Sequence, residues 1–209
     1  MKTNKNIWVY ILFFGAVWGI LEATLGYVLQ FLPPLVSGSV MFPIAATLMI
    51  ITYQNTKSKS AMIYVAAIAA SIKAINFFLP GLPPIKTYNP MIAIMLQSLV
   101  MVVFLPLIEK KPLALKVTGI ALVGLSWRML FLGNIAINHA LTAFPFVQLA
   151  SLSNMAEFVL YLGLMEALVL SLIYFAYSVL GKKVALGFKP NLLISMSTLI
   201  VAVLVTFFL

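Results

Sequence analysis

The sequence predicts an all-α integral membrane protein, a polytopic bundle of six to seven transmembrane helices that forms one domain over residues 1–209. Hydrophobic residues make up 64% of the chain and charged residues 8%, whereas soluble domains carry about 45–50% and about 25%. The apolar residues also fall in continuous runs, some near the length of about 20 residues that a spanning helix needs. A β-barrel would alternate in polarity along each strand, and a disordered chain would be far less hydrophobic.

Seven apolar segments follow one another along the chain. The first continues past the length of a signal-peptide core, so we interpret it as a membrane helix. The second is short and contains Pro43, and the sixth is long enough to tilt. The seventh would place the C-terminus on the outer side of the membrane. The predicted spans cover about 7–31, 39–53, 60–79, 90–108, 113–133, 152–180 and 191–209.

Basic residues predict the orientation, because Lys and Arg collect in cytoplasmic loops. With a cytoplasmic N-terminus, the inner segments hold ten of the 13 basic residues, and the outer loops hold only Lys86. Lys73 and Arg128 lie within spans. We therefore predict a multi-pass protein of the cell membrane. The inner residues are Lys2, Lys5, Lys57, Lys59, Lys110, Lys111, Lys116, Lys182, Lys183 and Lys189.

Composition argues against several classes of function. The chain has no Cys, no Asp and a single His, so disulfides, paired-aspartate motifs and multi-His metal sites are absent. It also lacks the Gly-x-x-x-x-Gly-Lys-Ser/Thr loop that binds ATP. The net charge of +9 is explained by topology, so we expect no nucleic-acid partner. We predict no enzymatic activity, no cofactor and no metal.

Three predicted outer loops are rich in Pro, Gly, aromatic and amide residues, which stiffen a loop. They comprise Leu32 to Ser39, Pro80 to Asn89 and Asn134 to Ser151. Such loops suit a cover over a cavity that opens outward. The alternative is that they are only tight turns at the membrane surface.

Charged residues inside the spans are the main candidates for function, because each costs about 2.5–3.5 kcal/mol at a helix centre. At about 1.5 Å per residue, Glu22, Lys73, Arg128 and Glu157 fall in the outer half of the membrane, and Glu166 lies deeper on another face of its helix. These positions predict a polar pocket that binds a small molecule. The alternative is internal pairing, for instance of Glu22 with Lys73 and of Arg128 with Glu157. The predicted substrate-binding residues are Glu22, Lys73, Asn76, Tyr88, Asn89, Gln97, Arg128, Asn138, His139 and Glu157.

Small residues four apart form a stripe on the first span and another on the third. Such stripes let helix backbones approach closely, either within the bundle or against another membrane subunit. The predicted docking residues are Gly15, Gly19 and Ala23 on the first span and Ala66, Ala70 and Ala74 on the third.

With these stripes and outer loops, the chain resembles the substrate-binding S components of energy-coupling factor (ECF) transporters. The resemblance covers about residues 1–180. It implies a pocket for a vitamin-like micronutrient under the three outer loops, and docking of a transmembrane coupling subunit on Ala-x-x-x-Ala motifs, where the first span here has Gly. It also implies two ATPase subunits. The alternative is an autonomous secondary transporter or channel that uses Glu22, Glu157 and Glu166 as relays.

Overall fold

A computed structural model describes residues 5–29, 31–32, 37–110, 112–180 and 189–208 of the protein. Every regular element in these ranges is helical. The elements are α1 (Lys5–Ala23), α2 (Leu25–Leu29), α3 (Ser37–Thr56), α4 (Lys59–Lys73) with the 3-10 turn Ala74–Phe78, α5 (Pro84–Ile108), α6 (Leu113–Thr142), the 3-10 turn Val147–Leu149, α7 (Leu152–Ala156), the π-helical turn Glu157–Tyr161, α8 (Leu162–Leu180) and α9 (Leu192–Phe208).

Five helical stretches are long and apolar enough to cross a membrane. The all-helical fold class is confirmed, and these stretches indicate a membrane-embedded, multi-pass protein. The described part of α9 has 17 residues and is shorter than the five. The five are Ile7–Leu29, Lys59–Phe78, Pro84–Ile108, Leu113–Thr142 and Leu152–Ala176.

The helices pack in a closed order around a shared apolar core. α1 contacts α4, α4 contacts α5, α5 contacts α6, α6 contacts α8, and α8 contacts α3. α3 also contacts α1, α2, α4 and α5, so it lies among five neighbours, and its Phe42 and Met49 are fully buried. α9 packs mainly on α1, where the Ser195 hydroxyl donates to the Val9 carbonyl (2.9 Å).

Two predicted outer loops are shorter in the structure because the neighbouring helices extend into them. α5 begins at Pro84 rather than at 90, since Pro fits the first turn of a helix, where its missing N–H would be unpaired anyway. α6 continues past Gly133 to Thr142. It ends where Ala143 adopts a left-handed conformation (φ 54°) and donates its N–H to the His139 carbonyl (2.8 Å). The predicted loop from Asn134 is therefore largely helical.

Some predictions fall outside the described residues. In the first outer loop, residues 33–36 lie outside them, and α3 begins at Ser37. The same holds for four of the basic residues assigned to the inner side, which are Lys2, Lys111, Lys182 and Lys183.

Side chains at one end of the bundle tie four helices together. Lys116 donates to the Ile108 carbonyl (3.0 Å) and lies over the ring of Tyr174 (5.4 Å to its centre). Tyr53 forms a hydrogen bond with Glu109. These contacts join α3, α5, α6 and α8 at the end that also carries the basic turns between α3 and α4 and between α5 and α6. We call this the basic end.

Candidate functional site

A cavity of about 310 Å³ lies at the opposite end of the bundle from the basic end. It forms between the start of α5 and four other parts of the chain. These are the end of α1, the short helix α2, the 3-10 turn that follows α4, and the end of α9. Its lining residues are Ala23, Tyr27, Lys73, Asn76, Leu79, Pro80, Leu82, Lys86, Thr87, Thr206, Phe207 and Phe208.

A tight connection between α4 and α5 forms one wall of this cavity. The 3-10 turn after α4 closes with the Leu79 N–H donating to the Asn76 carbonyl (3.2 Å). Gly81 then adopts φ 86°, a conformation that glycine takes without steric cost. Pro84 starts α5 at once, which brings Lys86 and Thr87 back towards the end of α4.

Lys73 is the buried charge of the cavity, with 5% of its surface exposed. Its ammonium makes no hydrogen bond to any residue that the structure describes. Glu22 is the charged group that interacts with it electrostatically. The Glu22 carboxylate is held from its own helix, because the Trp18 indole N–H donates to it (3.2 Å). Lys73 therefore keeps its hydrogen-bonding capacity for the cavity.

Close contact between α1 and α4 brings Glu22 near Lys73. A Cβ atom added to Gly15 would lie 2.7 Å from the Cβ of Ile68, and one added to Gly19 would lie 2.5 Å from Cδ1 of Ile72. At Gly15 the contact is with the base of a side chain, so only glycine allows this approach, whereas at Gly19 the end of the Ile72 side chain would have to turn away. In the register that pairs Gly19 with Ile72, Glu22 lies almost one turn beyond Gly19 and Lys73 lies one residue beyond Ile72, so the two side chains are close enough to interact electrostatically.

The small-residue stripes are packed within the chain. Ala23, Ala66 and Ala70 are buried, and Ala74 is partly buried. α9 covers the same helix pair, because its Ala202 shares a buried cluster with residues of α1 and α4. The contacts thus match the alternative of packing inside the bundle, and the predicted docking surface is occupied by the protein's own helices.

Arg128 lies in a buried network away from the cavity. Its guanidinium forms a salt bridge with Glu166 of α8 (Nη2 to Oε1, 2.7 Å), and neither side chain is exposed. It also donates to Ser39 Oγ (2.7 Å) and to the Phe158 carbonyl (3.0 Å), and the Trp127 indole donates to Glu166 (3.0 Å). This network joins α3, α6, the π-helical turn and α8.

The predicted pairing of Arg128 with Glu157 is wrong. Glu157 is exposed at the start of the π-helical turn. Glu157 and Glu166 lie on different faces, and Glu166 is the one that faces α6. The structure therefore places Arg128 and Glu157 outside the cavity, and Arg128 serves as a connection between helices.

Other predicted binding residues also lie outside the cavity lining. The Asn138 amide donates to the Asn134 carbonyl (2.9 Å), and His139 Nδ1 donates to the Phe144 carbonyl (2.7 Å), so both stabilise the end of α6. Of the predicted binding residues on α5, Gln97 is buried, Asn89 is partly buried, and Tyr88 is exposed.

The structure thus brings together Lys73, Asn76 and, beside them, Glu22 from the predicted set. Sequence reasoning missed Lys86, Thr87 and Thr206, which also line the cavity. Lys86 carried a signal, because it is the one basic residue in the predicted outer loops. No protein-family model, no curated protein and no solved structure matches the chain.

Proposed function

We propose that the chain is a membrane-embedded substrate-binding subunit that captures a small, vitamin-like micronutrient from outside the cell. Uptake is driven by ATP through partners of the ECF type, a transmembrane coupling subunit and two ATPase subunits. In this proposal α3 crosses the membrane with the five longer helices, α9 adds a seventh crossing, and the N-terminus is cytoplasmic.

The cavity is the observation that carries this proposal. It lies opposite the basic end, and the distribution of Lys and Arg favours a cytoplasmic location for the basic end. In that orientation the cavity lies on the outer side. Its volume of about 310 Å³ falls at the lower limit of small-molecule pockets, about 300–1,000 Å³, which suits a small ligand.

A partner is required by the proposal because the chain lacks an ATP-binding loop. The stripes on α1 and α4 are packed internally and lie under α9. A coupling subunit that used them would have to replace α9 on α1. Otherwise it would dock on the lipid-facing surfaces of the other helices.

Mass spectrometry of the purified full chain tests the binding role. We expect one small molecule to co-purify with the wild type and to be lost from Lys73→Met. Lys59→Met is the matched control, since Lys59 is exposed at the basic end. If no molecule co-purifies, and none from a micronutrient panel raises the melting temperature, the binding role is refuted.

Pull-down of the tagged chain tests the transport role separately. It is carried out in cells that also express the coupling and ATPase subunits of the same genome. We expect these subunits to co-purify, and uptake of the bound molecule to require ATP. Uptake by the chain alone would overturn the need for partners.

An autonomous secondary transporter is the second candidate, and the buried Arg128–Glu166 pair beside a π-helical turn favours it. π-helical turns occur often at functional sites, and buried charges mark ion pathways in transporters. Liposomes that contain only this chain separate the two. Flux driven by a proton or sodium gradient supports the second candidate, and its absence with ATP-dependent uptake in the complex supports the first.

A further inference from the structure

We infer that the cavity binds a small amphipathic molecule with a single carboxylate, seated on the ammonium group of Lys73. This inference rests on the proposed binding function and adds the chemical class of the ligand. It follows from the charge, the unpaired hydrogen-bonding groups and the apolar walls of the cavity.

The charged side chains that the structure describes at the cavity sum to one positive charge. Lys73 and Lys86 are the charged residues among the lining residues that the structure describes, and none of those residues is acidic. Glu22 lies outside the lining but interacts with Lys73. Two ammonium groups and one carboxylate leave one charge to be neutralised. A singly charged anion balances this site, whereas a cation would be repelled.

Three polar side chains of the lining have unused hydrogen-bonding capacity. The Lys73 ammonium carries three N–H donors and no acceptor. No described residue accepts a hydrogen bond from it, and the same holds for the Asn76 amide and the Thr87 hydroxyl. Lys73 and Thr87 are 5% and 1% exposed. A carboxylate offers two oxygen acceptors to these donors.

The rest of the cavity lining is mainly apolar, and it determines which kind of group the ligand carries besides its carboxylate. Tyr27, Leu79, Leu82 and Phe207 are among the apolar and aromatic residues of the lining. Such a wall favours a flat or aliphatic group over a sugar or a second charge. At about 310 Å³, the cavity suits a molecule about the size of one substituted ring.

Calorimetry with benzoate, and with its neutral and cationic counterparts benzamide and benzylamine, tests this inference. The three probes share one ring and differ in charge. The full chain is held in nanodiscs of phosphatidylcholine. We expect benzoate to bind about ten- to a hundredfold more tightly than benzamide, as one charge-assisted hydrogen bond predicts, and benzylamine not to bind. Equal binding of benzoate and benzamide, or no binding of benzoate at millimolar concentration, overturns the inference.

Variants locate the carboxylate. Lys73→Met should weaken benzoate about ten- to a hundredfold, and Lys86→Met, at an exposed position, about two- to fivefold. Glu22→Gln should strengthen benzoate, because it removes the carboxylate that competes for Lys73. If Lys73→Met does not fold, benzoate affinity is measured on Lys73→Arg and Glu22→Gln instead. Weaker benzoate binding in Glu22→Gln contradicts the inference, and unchanged binding in Lys59→Met is required of the control.

A second nanodisc composition separates a free carboxylate from a lipid headgroup, which could supply the same single negative charge. Added phosphatidylglycerol should leave benzoate affinity unchanged. If the lipid displaces benzoate, the site binds a headgroup and the inference fails. A neutral molecule that co-purifies and depends on Lys73 would refute the carboxylate while the proposed function stands. Failure of the function itself would appear as no bound molecule of any charge.

Discussion

Replacing Arg128 with Met should cost the protein more stability than any surface substitution. The change removes the salt bridge to Glu166 together with the donors to Ser39 and to the Phe158 carbonyl. Glu166 would remain fully buried, with only the Trp127 indole donating to its carboxylate. Removing one partner of a buried pair costs about 3–5 kcal/mol, because an uncompensated charge remains. We therefore expect Arg128→Met to lower the free energy of unfolding by about that amount.

Unfolding of the purified protein in mixed micelles, monitored by circular dichroism, measures this loss. The double variant Arg128→Met, Glu166→Gln should recover much of it, since no buried charge is left without a partner. Benzoate affinity should stay unchanged in the double variant, because neither residue lines the cavity. Lys59→Met is the control for loss of a positive charge. An Arg128→Met protein as stable as the wild type, or a double variant less stable than either single one, would refute this account.

Three further predictions concern packing, exposure and orientation. Gly19→Leu should lower the free energy of unfolding by about 1–3 kcal/mol or more through overpacking against Ile72, and chemical denaturation measures it. Gly133→Leu should change the free energy of unfolding little, because a Cβ atom at this position meets no atom within 4 Å. Glu157→Gln should leave the melting temperature and benzoate affinity unchanged, since its side chain is exposed. Lys57→Cys should resist an impermeant thiol reagent in intact cells and react after the membrane is opened.

A different result would contradict each of these three predictions. Equal stability of the two glycine variants would refute the close contact of α1 with α4. A marked loss of benzoate binding in the Glu157 variant would show that Glu157 belongs to the binding site. Labelling of the Lys57 variant in intact cells would show that the orientation is the reverse of the predicted one. The cavity would then lie on the cytoplasmic side.

The helical fold was predictable because hydrophobic runs report membrane helices directly. Their ends were harder to predict. Pro84 was assigned to a loop, but a proline at the first turn of a helix leaves no extra N–H unpaired, so composition alone does not separate the two. Likewise, the sequence predicts the end of a span at Gly133, but a glycine can also lie within a helix, as Gly133 does in an exposed stretch of α6.

The candidate site was predictable in part. Lys73 was identified because a charge inside an apolar run has few explanations. Its neighbours on α5 and α9 were missed, since the cavity is formed by four chain segments that only the packing brings together. The partner of Arg128 was missed for a related reason. Depth along a helix can be counted from the sequence, but the direction in which Glu157 or Glu166 points depends on the helix rotation.

The packing of α9 on α1 has a consequence for biosynthesis. The hydrogen bond from Ser195 to the Val9 carbonyl joins residues 186 positions apart, so α1 enters the membrane long before its neighbour exists. Until then Ala16 of α1, which is fully buried in a cluster with Ala202 of α9 in the complete fold, has lipid, α4 or the insertion machinery as its neighbour. The cavity also lacks the wall contributed by Thr206 and Phe207 during this interval. A nascent chain therefore completes the cavity only when synthesis has passed α9.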